Sequence, residues 1–312
     1  MRFSSGLLCA VAVLAMSAGP SSGGRSPFFS RESWIQDSGE DGGPPGAKAT
    51  TCQCGWANKN PQRIVGGQVT KVNEYPFMVA LLTGQYMQFC GGSLITMSHV
   101  LTAAHCTNPV IQNRGTILAL AGDHDLRTTA DTPFAQLKRV ARIVQHEGFD
   151  PTSLRNDVSV LVLESPFVAN RFVGPVCVSP VVGNYEKTYV KIIGWGNTHH
   201  NSTTSPVLKS LNIRVVPHPM CRARHPLLSP LRSQICTHSY QQGACMGDSG
   251  GPVVRLDQET NRYTQVGLVS FGRICASLDP TVHTDVSYYM PWITAAVRST
   301  SYNQGYLCSK IG

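Results

Sequence analysis

Apolar residues gather along this chain in short runs, with Gly, Pro, Asn and Ser in the gaps. The runs at 77–82, 158–163, 190–193, 213–216 and 266–269 are rich in Val and Ile. β-Branched side chains suit a pleated, half-buried surface, so this spacing predicts many short strands folded into a sandwich or barrel. Helical spacing is scarce. It is clearest near the end, where Trp292, Ile293, Ala296 and Val297 share one face and Pro291 suits a first turn.

The pattern changes at Ile64. The stretch 21–48 is rich in Gly, Ser and Pro and poor in apolar residues. It cannot bury enough surface to offset its ordering entropy, so a flexible segment is expected. At the start, Arg2 precedes an apolar run at 7–16 and then Ser17, Ala18 and Gly19. That is the layout of a secretory signal peptide cut near Ala18. The run is too short for a bilayer span, which needs ~20 apolar residues. The chain therefore divides into a signal peptide at 1–18, a flexible precursor segment at 19–63 and a folded domain at 64–312. A secreted, extracellular protein without a membrane anchor is expected.

The cysteines fit that compartment. There are 11, and Cys9 lies in the signal peptide. The even remainder suggests disulfides, with connectivity open at this level. Cys52-Gln53-Cys54 is too tightly spaced for a zinc knuckle, and no second pair stands near it. The net charge of +8 is spread out, with small clusters at Lys138, Arg139, Arg142 and at Arg222, Arg224, Arg232. Without a long basic run or interleaved aromatics, nucleic-acid binding is not expected.

Three segments carry candidate chemistry: 101–106 with His105, 156–161 with Asp157, and 247–252 with Ser249. Each alone has a plain structural explanation as a core histidine, a turn cap or a tight loop. Together they form the ordered set His, Asp, Ser, one known arrangement of a hydrolytic triad. A serine hydroxyl needs a neighbouring base to become a nucleophile. His105 can accept that proton and return it to a leaving amine. Asp157 would fix the imidazole tautomer and stabilise the imidazolium. The glycines beside Ser249 permit a sharp turn, and the amides of Gly247 and Ser249 can face the oxyanion of a tetrahedral intermediate.

With 64–67 (Ile-Val-Gly-Gly), the Ala-Ala-His-Cys segment, Asn156-Asp157, Gly194-Trp195-Gly196, Gly-Asp-Ser-Gly-Gly-Pro and Ser270-Phe271-Gly272, the chain resembles the chymotrypsin-type serine peptidases over about 64–298. The Cys-x-Cys-Gly lead and the precursor segment resemble arthropod members. The resemblance implies an all-β fold of two packed antiparallel six-stranded barrels with a C-terminal helix, and a secreted serine endopeptidase acting through an acyl-enzyme. It implies activation by another protease cutting after Arg63, which frees the Ile64 amine to pair with Asp248. It further implies disulfides Cys90–Cys106, Cys221–Cys236 and Cys245–Cys275, and a tether from Cys54 to Cys177. Cys52 and Cys308 are left over, and a bridge between them is left open.

Specificity is implied by the pocket beside the nucleophile. Trypsin-like members carry Asp six residues before the serine, where this chain has Gly243. Ser270, Phe271 and Gly272 would form one wall, and Thr281 would shorten the pocket. Apolar or medium-sized side chains before the cleaved bond are therefore expected. Asp279 lies near that segment and reads better as an exposed turn residue, and His283 stands where a Tyr is common. Asp123, Asp125 and Asp131 fall in a loop that binds calcium in some relatives. A second Glu ligand is lacking and calcium wants about six or more oxygens, so no metal or cofactor is expected. Asn201 begins a glycosylation acceptor triplet. A monomer acting on proteins or peptides, and met by protein inhibitors, is expected. Two alternatives are a binding protein that has lost catalysis, which the intact triad opposes, and an α/β-hydrolase. The latter wants the order Ser, Asp, His.

Overall fold

Val- and Ile-rich runs become the walls of two barrels. The computed structural model describes residues 44–58, 68–128, 132–197, 204–229, 231–239, 243–272, 279–301 and 306–312. The proposed signal peptide, Arg63, Ile64, Asp131, Asn201 and Cys275 lie outside the described residues.

A short strand, β1 (Gln68–Val69), precedes the first barrel. That barrel comprises β2 (Met78–Thr83), β3 (Gln88–Thr96), β4 (His99–Thr102), β5 (Ile117–Ala121), β6 (Gln136–Gln145) and β7 (Ser159–Leu163). The order β2-β3-β4-β7-β6-β5 closes when β5 pairs back with β2. After β8 (Cys177–Val178), the second barrel comprises β9 (Tyr189–Gly194), β10 (Lys209–Val216), β11 (Gln234–His238), β12 (Pro252–Asp257), β13 (Arg262–Phe271) and β14 (Thr281–Asp285). Its order β9-β10-β11-β14-β13-β12 closes through β12 on β9. Every pairing within the two barrels is antiparallel; β1 adds to β10, and β8 runs parallel to β13. This is the expected pair of six-stranded barrels.

Each barrel has its own filling. Val79, Leu81, Leu94, Val100 and Leu161 pack in the first, and Val190, Ile213, Val253, Val266 and Val269 in the second. A third cluster joins them, with Phe77, Ile95, Leu101 and Val160 from one barrel against Ile193, Trp195 and Leu268 from the other. Burying such side chains contributes roughly 1.5–3 kcal/mol each. The cleft between the barrels is therefore framed by rigid, apolar-backed strands.

Three helices complete the fold: α1 (Ala104–Gln112), α2 (His218–Arg224) and α3 (Val286–Thr300). The C-terminal helix begins earlier than Pro291 suggests. Asp285 caps it, its Oδ1 accepting from Ser287 N at 2.9 Å and Tyr288 N at 3.3 Å. Those bonds satisfy donors that a helix start leaves orphaned, so the cap sets the boundary and Pro291 falls inside the helix.

The end of the segment read as flexible is held in place. Gly46 N donates to Thr260 O and Lys48 N to Glu259 O, both at 2.8 Å. Thr51 N donates to Ser309 O at 2.8 Å, and Tyr263 N to Gly55 O at 2.7 Å. Backbone hydrogen bonds, which composition does not reveal, supply many of these contacts. Disulfides Cys54–Cys177 and Cys52–Cys308 lock the same stretch. The pairing of Cys52 and Cys308 thus resolves a point left open by the sequence. Cys90–Cys106 and Cys221–Cys236 are formed as implied, and Cys245 is disulfide-bonded while Cys275 lies outside the described residues. Replacing both Cys52 and Cys308 with Ser should lower stability by about 2–4 kcal/mol, or Tm by roughly 5–12 °C in calorimetry.

Candidate active site

Asp157 is the hub of the site. It stands just before β7, its side chain fully buried at the seam of the two barrels. Its Oδ2 lies 2.8 Å from His105 Nδ1, and its Oδ1 accepts from His105 N at 2.8 Å. The second bond satisfies a donor in the first turn of α1, so one carboxylate orients the ring and also caps the start of the helix. From the second barrel, Ser270 Oγ donates to Asp157 Oδ2 at 2.5 Å and Thr284 Oγ1 to Asp157 O at 2.7 Å. A buried carboxylate needs such partners to remain charged. Tyr289 on α3 donates to Asn156 Oδ1 at 2.9 Å, steadying the residue before it.

His105 is half-buried at the start of α1, with Nδ1 engaged by Asp157. A hydrogen bond at Nδ1 leaves Nε2 as the basic nitrogen. Nε2 lies 3.7 Å from Cys106 Sγ. Cys90, His105 and Cys106 are close enough to suggest a metal site, but the two sulfurs are joined to each other and present no thiolate.

Ser249 is half-buried on the loop between β11 and β12, and its carbonyl accepts from Gly91 N at 2.8 Å. The next residue, Gly250, presses against the start of α1: a Cβ there would sit 3.0 Å from Ala103 N and 2.8 Å from Gly91 O. Only glycine permits this approach, which brings the serine loop against the segment bearing His105. Gly247 has φ 96°, a region that favours glycine, and it shapes the turn that carries its own amide and that of Ser249.

Asp248 points the other way, into the protein. Its Oδ1 accepts from Gly196 N at 2.8 Å and its Oδ2 from Cys245 N at 3.0 Å. Burial pushes its pKa up to about 6.

The residues expected at the specificity pocket are only partly brought together. Gly272 and Thr281 face each other, since a Cβ on Gly272 would lie 3.6 Å from Thr281 Oγ1. Phe271 is half-buried and meets His225 edge-on at 5.6 Å between ring centroids. Ser270, expected at the pocket wall, turns its hydroxyl to Asp157. Gly243 is half-buried. Asp279 Oδ1 lies 3.8 Å from Arg224 Nε, in keeping with a turn residue. His283 is fully buried with Nε2 2.7 Å from Thr237 Oγ1, and burial lowers its pKa to about 3. It is therefore neutral at physiological pH. Asp125, weighed for calcium, is held by Arg127 at 2.5 and 2.9 Å.

Sequence reasoning missed Ser270 and Thr284 as supports of Asp157, and Gln88, whose Nε2 donates to Gly247 O at 2.9 Å. These bonds join residues far apart in the chain, and no local pattern marks them.

A buried carboxylate orienting a histidine, beside a serine on a glycine-shaped loop between two barrels, defines a serine hydrolase of the two-barrel kind. The trypsin family matches residues 64–293, and the chain belongs to that family. It is 30% identical to a "Venom serine protease" of Polistes dominula, over 82% of this chain and 92% of that protein. It is also 30% identical to "Venom serine protease 34" of Apis mellifera, over 81% of this chain and 63% of that protein. A further relative is the "Proclotting enzyme" of Tachypleus tridentatus, 31% identical over 77% of this chain and 68% of that protein. The chain is a serine endopeptidase, a hydrolase of protein substrates.

Proposed function

We propose that this endopeptidase works outside the cell, is made as an inactive precursor, and carries its chemistry on Ser249, His105 and Asp157. His105 Nε2 takes the Ser249 hydroxyl proton as Oγ attacks the scissile carbonyl. The amides of Gly247 and Ser249 hold the resulting oxyanion. Collapse breaks the C–N bond, and the proton passes from Nε2 to the leaving amine. Water then enters, loses a proton to Nε2 and hydrolyses the acyl ester, which restores Ser249. The observation that carries this reading is the buried Asp157 carboxylate, bonded to His105 twice and anchored by Ser270.

Activation is a cut after Arg63 by another protease. The freed Ile64 amine would then pair with Asp248, whose buried carboxylate accepts from the backbone amides of Gly196 and Cys245. The N-terminal signal pattern and the disulfides support an extracellular site of action. Gly243 supplies no charge to the pocket, and Thr281 narrows it opposite Gly272. The preferred residue before the cleaved bond is therefore apolar or medium-sized. Protein inhibitors of such enzymes are fitting partners.

The test is to cut the precursor after Arg63 and treat it with a fluorophosphonate. Mass spectrometry should find the label on Ser249 in the cut form, with little in the uncut form. A peptide library should then show cleavage after apolar residues. Strict cleavage after Lys or Arg would refute the pocket reading, and an unlabelled Ser249 in the cut form would refute the nucleophile.

A further inference from the structure

The turn of α1 that carries His105 is poorly held by its own helix. Ala103, at its start, offers no side-chain cap, and Pro109 lies inside the helix. A helical residue at 109 would give its N–H to His105 O, and proline has none to give. Cys106 N reaches Ala103 O only at 3.3 Å, long for such a bond. The direction of the His105 side chain therefore depends on anchors from outside the helix.

Asp157 Oδ1 is one anchor, accepting from His105 N, and the disulfide from Cys106 to Cys90 is another. Thr107 supplies a third, two residues after His105. Its hydroxyl oxygen lies 3.0 Å from Ala104 O, 2.8 Å from Gln145 Oε1 and 2.8 Å from Ser159 Oγ. A threonine hydroxyl has a single proton. With that proton given to a carbonyl oxygen of Ala104 or Gln145, Ser159 Oγ is the donor to Thr107. Thr107 and Ser159 are both fully buried. Ser159 opens β7, two residues after Asp157, and Gln145 ends β6 beside it in the ladder. One bond between hydroxyls thus joins the helix turn bearing His105 to the strand that follows Asp157. Buried and fully partnered, such a network is stiff.

The geometry points to Thr107 and Ser159 as positioning residues for the reaction: their hydroxyl bond fixes the first turn of α1 against β7 and holds the His105 imidazole where proton transfer requires it. This rests on the reading of Ser249, His105 and Asp157 as the reacting set. Neither hydroxyl is open to substrate, so both act through His105. A misplacement of about 1 Å in such a set costs about 100-fold in rate.

The test uses the cut, full-length enzyme, with active sites counted by fluorophosphonate labelling and rates read well below Tm. Thr107→Val keeps the shape and removes the hydroxyl. It should lower kcat by about 10- to 100-fold and leave KM within about twofold. The rate at which the fluorophosphonate labels Ser249 should fall by the same factor, because labelling needs the same base. Ser159→Ala should behave alike, and in the double variant the losses should not add, since the two residues share one bond. Thr107→Ser restores the hydroxyl and should return kcat to within about threefold of the parent. Parental kcat and labelling rates in both Thr107→Val and Ser159→Ala, whatever their Tm, overturn this inference alone. So does a Thr107→Ser enzyme as slow as Thr107→Val. If Thr107→Val does not fold, Ser159→Ala decides, and parental rates in it overturn the inference. An unlabelled Ser249 in the cut parent enzyme overturns the catalytic reading and this inference with it.

Discussion

Ser249→Ala should reduce peptide hydrolysis by the cut enzyme by about 10⁵- to 10⁶-fold, with little change in Tm. Ser249 is half-buried, and its backbone carbonyl accepts from Gly91 N, a bond that alanine keeps. The fold should therefore tolerate the change while the covalent path disappears. KM should move far less than kcat, because the hydroxyl acts in the transition state more than in binding. Asp157→Asn should lose about 10⁴-fold by presenting the wrong tautomer of His105. That carboxylate also accepts from His105 N and Ser270 Oγ. Asp157→Asn should thus lower Tm where Ser249→Ala does not. The two losses should not add, since the residues act as a unit. Residual turnover by Ser249→Ala within tenfold of the parent enzyme would sink the nucleophile assignment.

Asp248→Asn should have opposite consequences before and after the cut. In the uncut chain, burial raises the Asp248 pKa from 3.8 to about 6. A folded-state pKa above the unfolded one favours folding when the group is protonated. That contribution is fully present below about pH 4 and is lost as pH rises through about 6. The loss is at most about 3 kcal/mol. Urea melts of an uncut Arg63→Gln chain should therefore show stability falling across this window. The same chain with Asp248→Asn should lack that part of the slope. After the cut, the Ile64 ammonium would face Asn instead of a carboxylate. An unpaired buried charge costs about 3–5 kcal/mol, so kcat/KM should fall roughly 10²- to 10⁴-fold. A fully active cut Asp248→Asn enzyme would end the activation reading.

The strands that could be read from the sequence are those with unbroken apolar runs, such as β2, β7, β9 and β13. Their Val and Ile are buried and leave a clear trace. By contrast, β6 carries Lys138, Arg139 and Arg142 at half-buried or exposed positions, so it reads as a charge cluster although it joins β5 to β7 in the first barrel. Helix α1 hides for another reason: it has no side-chain cap and contains Pro109, while Asp157 from a distant loop serves its first turn. The same distinction runs through the site. His105, Asp157 and Ser249 are marked by short motifs because their local backbone is constrained. The bond from the Ser270 hydroxyl to Asp157 leaves no trace in the sequence, because only tertiary structure turns it there. Gln88 bears no mark at all, yet it binds β3 to the oxyanion loop.

Cys52-Gln53-Cys54 has a consequence for what activation leaves behind. Cys52 is joined to Cys308 and Cys54 to Cys177. On the proposed cut after Arg63, this tripeptide would belong to a separate chain, held at both ends by the larger one. It would become a clasp between β8 and the C-terminal tail. The severed piece would then be an internal strap of the cut enzyme rather than a discarded leader. Under non-reducing conditions the enzyme should migrate as one species, and a reductant would both release the strap and unfasten the tail.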